Sequence, residues 1–143
     1  MFTPGTQPPF QRPAPTSAVA VFIEASTPIK SRYRHLTMVA DFGYGLRYSL
    51  APGRNHVMVP PGHYRVQLYS QYTWWQVGKA LLDIDTTRGP VQLYYTPPYT
   101  IYSAGAAGFW PQQRPGRGAL LAIVIAAVLI PLLLVGVGLL LAP

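Results

Sequence analysis

Residues 56–70 read HVMVPPGHYRVQLYS. Val57 and Val59 recur every second residue, Pro60-Pro61-Gly62 interrupts, and then Tyr64, Val66 and Leu68 take up the same period. Period two on both sides of a Pro/Gly break predicts two half-buried β-strands joined as a hairpin. The pattern extends outward in both directions. Upstream, Val19, Val21 and Ile23 alternate in AVAVFIEAS. After HLTMVAD, Phe42, Tyr44, Leu46, Tyr48 and Leu50 fall on one face of a single expected strand, and residues 51–55 (APGRN) supply the residues of a turn. Downstream, WWQV leads into a strand with Ala80, Leu82 and Ile84 inward. Residues 86–90 (TTRGP) turn, Val91, Leu93 and Tyr95 share a face, and PPYTIY offers a last edge strand. No segment between 18 and 103 carries a helical period. The fold class is mainly β: a small antiparallel β-sandwich head.

The one helical signal lies at 119–141, ALLAIVIAAVLIPLLLVGVGLLL, 23 residues without a charge. At 1.5 Å per residue it covers roughly 35 Å, enough for a hydrocarbon core of about 30 Å. It predicts one C-terminal transmembrane α-helix. The organisation is thus a Pro-rich segment (1–17), a β-sandwich domain (18–103), a Gly/Pro-rich linker (104–118) and the membrane helix (119–142). Only Ala142 and Pro143 follow the charge-free run, as in a tail anchor, and the first residues lack the basic and apolar regions of a signal peptide. Arg114 and Arg117 precede the helix and no basic residue follows it. The positive-inside rule then places the head in the cytoplasm and the helix in the cell (inner) membrane. Phe109 and Trp110, with Arg114 and Arg117, are the expected membrane-interface residues.

Composition narrows the chemistry. The chain of 143 residues has 11 Lys and Arg, 4 Asp and Glu, a formal charge of +7 and no cysteine. Disulfides, thiolate metal sites and thiol catalysis are excluded. Of the acids Glu24, Asp41, Asp83 and Asp85, only the last two are close in sequence, and they read as a solvated strand face. His56 and His63 flank the 60–62 turn, where a hairpin would bring them near each other, but two imidazoles make a poor metal site. His35 stands apart. The glycines lack the strand–loop–helix context of a phosphate site, and no serine sits in a nucleophile elbow. The expectation is a protein without catalytic activity, metal or cofactor.

Two surfaces remain. Lys30, Arg32 and Arg34 form a basic cluster in IKSRYRH, and Tyr69, Tyr72, Trp74 and Trp75 concentrate aromatic side chains. Basic and aromatic residues together are typical of docking surfaces. Such a surface fits a partner protein or anionic lipid; nucleic acid is not expected. In the helix, Ala119, Ala122 and Ala126 lie at small-residue spacings, Pro131 removes a backbone donor mid-span, and Gly136 and Gly138 add notches, all features of helix packing.

VPPGHYRV at 59–66 resembles the P-G-x-Y-x-V turn of prealbumin-like and PEGA-type β-sandwich modules, a resemblance that implies a non-catalytic head. The layout as a whole is similar to small single-span membrane proteins of actinobacteria, among them accessory subunits of the mycobacterial Mce lipid transporters. That resemblance implies an accessory or stabilising subunit of a hetero-oligomeric membrane complex serving transport. The alternative is an autonomous tail-anchored module that recognises anionic lipid or a soluble ligand.

Overall fold

The computed structural model describes residues 17–28, 37–72 and 74–142, with the Tyr72 side chain left out. Two four-stranded sheets pack face to face. The strands are β1 (Val19–Ala25), β2 (Thr37–Asp41), β3 (Arg47–Leu50), β4 (Gly53–Val59), β5 (His63–Tyr72), β6 (Trp75–Asp85), β7 (Val91–Thr96) and β8 (Ala106–Gly108); α1 spans Arg117–Leu141. One sheet has the order β4-β1-β7-β8, the other β3-β2-β5-β6. All neighbours are antiparallel except β1 and β7, which run parallel. The expected mainly β head with one C-terminal apolar helix is the observed architecture.

The alternating residues build the core. Val21, Ile23, Val57, Val59, Leu93 and Tyr95 from the first sheet meet Met38, Ala40, Leu50, Tyr64, Val66, Leu68, Ala80 and Ile84 from the second. Phe42 and Tyr64 meet edge to face within it.

The segment 56–70 is not a hairpin. β4 pairs only with β1, whereas β5 pairs with β2 and β6. Pro60-Pro61-Gly62 is therefore a corner that carries the chain from one sheet to the other. Tight hairpin loops need a residue at positive φ, and none of these three has one. Thr86 closes the corner instead. It is fully buried; its backbone N–H donates to the Gly62 carbonyl at 2.9 Å, and its Oγ1 accepts the Gly62 N–H at 2.9 Å. The same hydroxyl lies 3.1 Å from the Gly62 carbonyl and 3.3 Å from that of Pro60. His56 and His63 accordingly lie in different sheets: His56 stacks on Phe22 across β1 and β4 at 5.0 Å, and His63 faces Asp85 at 3.8 Å.

The expected strand at 42–50 is also divided. Gly43, Tyr44 and Gly45 all take positive φ, which folds β2 back onto β3 and leaves Tyr44 exposed at the tip. Phe42 and Leu50 are buried and Leu46 and Tyr48 pack against the core, so four of the five expected residues do share it. At 51–55, only Ala51 and Pro52 connect, and Asn55 lies within β4. Its amide donates to the Ala51 carbonyl at 2.8 Å and reaches the Ile23 carbonyl of β1 at 3.2 Å, while its oxygen accepts the Ala51 N–H at 2.8 Å.

The C-terminal boundary of the head differs most. PPYTIY is a loop, and the edge strand is β8, inside the stretch expected as linker. Residues beyond β8 also belong to the head, as the geometry around the helix start makes plain.

Candidate functional site

Strand register places several features at one end of the head. β1 and β7 finish there, β4 begins there, and the β5–β6 hairpin has its tip there. The β7–β8 loop, residues 97–105, lies at this end too. The Tyr95 hydroxyl donates to the Gly78 carbonyl of β6 at 2.8 Å, and the Gly105 N–H donates to the Lys79 carbonyl at 3.1 Å. Gly105 has no room for a side chain: a Cβ would come within 2.3 Å of the Gly78 carbonyl oxygen. Gly78 itself, at φ +62, sits in a bulge where Leu68 faces Ala80 but Ser70 faces Val77.

The helix leaves from the same end and is clasped to it. The Gln112 carbonyl accepts from Thr96 Oγ1 at 3.2 Å, and the Tyr99 N–H donates to the Pro115 carbonyl at 2.9 Å. Arg114 joins three segments: its guanidinium donates to the Thr27 carbonyl after β1 at 2.6 Å and to the Pro97 carbonyl after β7 at 3.2 Å, and lies 5.7 Å from the Tyr99 ring centroid. Arg114, expected at the membrane interface, satisfies backbone carbonyls of the head beside the helix start; Arg117 is exposed at the first position of α1. Gly116 caps the helix at φ +88, packed so closely that a Cβ would meet Ser103 Oγ at 2.7 Å. Helical structure thus begins at Arg117, directly after Gly116 and its contact with the head.

Among the expected docking residues, Trp74 and Trp75 are exposed at the β5–β6 tip, but Tyr69 is only 3% exposed. It occupies the outer face of its sheet opposite Val39 and is inaccessible as a docking residue. Tyr72 ends β5, its side chain outside the described residues, as are Lys30, Arg32 and Arg34. Phe109 and Trp110 are exposed but follow the far end of β8, where Gly108 faces Tyr94. Residues 111–115 then return the chain to the helix start. The exposed apolar side chains flanking that start are Ile101 and Tyr102, which no period or motif singles out.

α1 is continuous through Pro131 and none of its residues is buried. It is long and apolar enough to cross a membrane. At about 100° per residue, Ala119, Ala122, Ala126 and Gly136 fall on one face, while Pro131 and Gly138 lie about 20° apart on another. The six residues expected to pack helices therefore form two notches rather than one stripe.

At the opposite end of the head, a shallow groove of about 360 Å³ is lined by His63, Tyr64, Arg65, Asp83, Ile84 and Asp85. Its charges are already engaged. Arg65 donates to Asp83 at 2.8 Å and holds that carboxyl below its ordinary value. Asp85 is lowered too, first by the Thr87 hydroxyl and backbone N–H, then by His63 and Arg88. Among the described residues no three His, Cys, Asp or Glu side chains converge as metal ligands. Comparison with protein-family models, curated proteins and solved structures found no match.

Proposed function

We propose that the chain is a non-catalytic, membrane-anchored accessory subunit that stabilises a larger hetero-oligomeric membrane complex. In this reading α1 spans the cell (inner) membrane, the head lies on the cytoplasmic side, and both contact the partner. The observation that carries it is the clasp between head and helix. A binding module that searches for ligands at a membrane gains from a flexible tether of many residues. Here the stretch between β8 and α1 is spent on bonds to the head, from Thr96–Gln112 to Tyr99–Pro115. The head is held at a set height above the span, which suits a subunit that must meet a partner inside and outside the bilayer at once. The two small-residue notches suit the membrane half of that contact. Transport, and lipid transport in particular, is supported by the resemblance of the overall layout.

Extraction from native membranes in a mild detergent, followed by native sizing and mass spectrometry, tests the proposal. The expected result is co-migration with another integral membrane protein. A lone monomer at native expression overturns it.

A further inference from the structure

We infer that the end of the head from which the helix departs is itself a lipid-facing surface: Trp74, Trp75, Ile101 and Tyr102 seat in the headgroup layer of the bilayer that α1 crosses. The inference rests on the proposed span and adds a second membrane contact to it.

The helix start sets the geometry. Charge-free sequence begins at Gly118, and Gly116 lies three residues before Ala119, about 4.5 Å along a helix axis. The polar layer on each side of the hydrocarbon core is about 5–8 Å thick. Whatever touches Gly116 is therefore within that layer. Ser103 and the Tyr99 backbone touch it, so the 99–103 loop sits at headgroup level whatever the tilt of α1. That loop presents Ile101, 48% exposed, and Tyr102, 84% exposed. The β5–β6 hairpin reaches the same level. Gly78 packs against Pro98, where a Cβ would come within 2.6 Å, and Trp75 lies three residues further toward this end of β6. Trp75 is 58% exposed and Trp74, at the hairpin tip, 79%.

Four large exposed side chains thus lie at the end of the head where the helix departs. Trp and Tyr are the residues favoured at headgroup depth, where an apolar ring with one polar hydrogen matches the gradient from hydrocarbon to water. Exposed Lys79 and Arg117 flank them with positive charge, which suits a surface containing anionic lipid.

The test uses the full chain reconstituted in vesicles of phosphatidylcholine and phosphatidylglycerol, some of them brominated at defined acyl depths. Trp110→Phe leaves Trp74 and Trp75 as the fluorophores; Trp74→Phe with Trp75→Phe leaves Trp110, beyond the far end of β8. Expected are a blue-shifted emission, protection from acrylamide and loss of fluorescence to shallow bromines for the first variant, with none of these for the second. Water-like emission from Trp74 and Trp75 in chains that resist alkaline carbonate extraction overturns the inference and leaves the span standing. Equal quenching of Trp110 also overturns it, because the membrane then meets another face. Release of the chain by carbonate overturns the span and this surface together.

Discussion

Tyr95 shows how a single buried group sets conditions for the fold. Its hydroxyl binds the Gly78 carbonyl, and burial pushes its pKa from 10 up to about 12. The folded value lies above the unfolded one, so the neutral phenol stabilises the fold fully below about pH 10, and that stability is lost as pH rises toward 12. The loss amounts to about 2–3 kcal/mol. Denaturant unfolding in detergent micelles across this range checks it: Tyr95→Phe is expected to flatten the alkaline decline, and an unchanged slope would show that another group governs it. The same substitution strands the Gly78 carbonyl, at a cost of about 1–3 kcal/mol near neutrality. Thr86→Val is expected to cost a similar 1–3 kcal/mol, roughly, by leaving the Gly62 N–H without its acceptor; a thermal melt reads this directly. Neither role is legible in the sequence. Thr86 opens TTRGP and reads as an ordinary turn residue, because nothing in spacing announces a hydroxyl that serves a corner 24 positions away. Tyr69 misleads for a related reason. Period two correctly puts it on the outer face, but a face is not a measure of exposure, and this part of the outer face is covered.

Period two makes the strands around 19–23, 57–59, 64–68, 80–84 and 91–95 legible but not their partners, and at 42–50 it runs on through a turn. Val57 and Val59 alternate in the same way whether β4 lies beside β5 or across the core from it, since either arrangement buries one face of each strand. The distinction lay in the connection: a pair of prolines followed by a glycine without positive φ turns a corner, whereas GYG at 43–45, with three successive positive φ values, makes a hairpin. Gly, Pro and Ala make the stretch 104–118 read as a linker, although a three-residue edge strand and a series of backbone bonds need no large apolar residues. Arg114 is the centre of that series. Arg114→Ala is expected to lower head stability by about 1–3 kcal/mol through two lost charged hydrogen bonds and to speed hydrogen exchange at the Tyr99 amide. Arg114→Lys should recover only part of this, since one ammonium cannot reproduce a planar fork that serves two carbonyls and lies over a ring. Full recovery with Lys would mean that charge alone holds the clasp.

At the scale of the whole molecule, the clasp joins the head directly to the apolar helix, and the proposed span gives the pair a testable orientation. Arg114 and Arg117 sit on one side of α1, and the helix carries no basic residue in its last turn. Binding carbonyls leaves the charge of Arg114 in place, so both arginines count toward retention on the cytoplasmic side. With no native cysteine, single thiols report each side cleanly. Ser49→Cys lies on an exposed position of β3, and Ala142→Cys follows the last helical residue. A membrane-impermeant maleimide applied to intact cells is expected to label A142C and spare S49C, and inverted vesicles should reverse the pattern. Labelling of S49C from outside would place the head on the other face and remove the charge asymmetry as the orienting force. Labelling of both from one side would mean that α1 does not cross. In that case its uniformly apolar surface, with no residue buried against the head, would have to be covered by a protein partner instead of lipid.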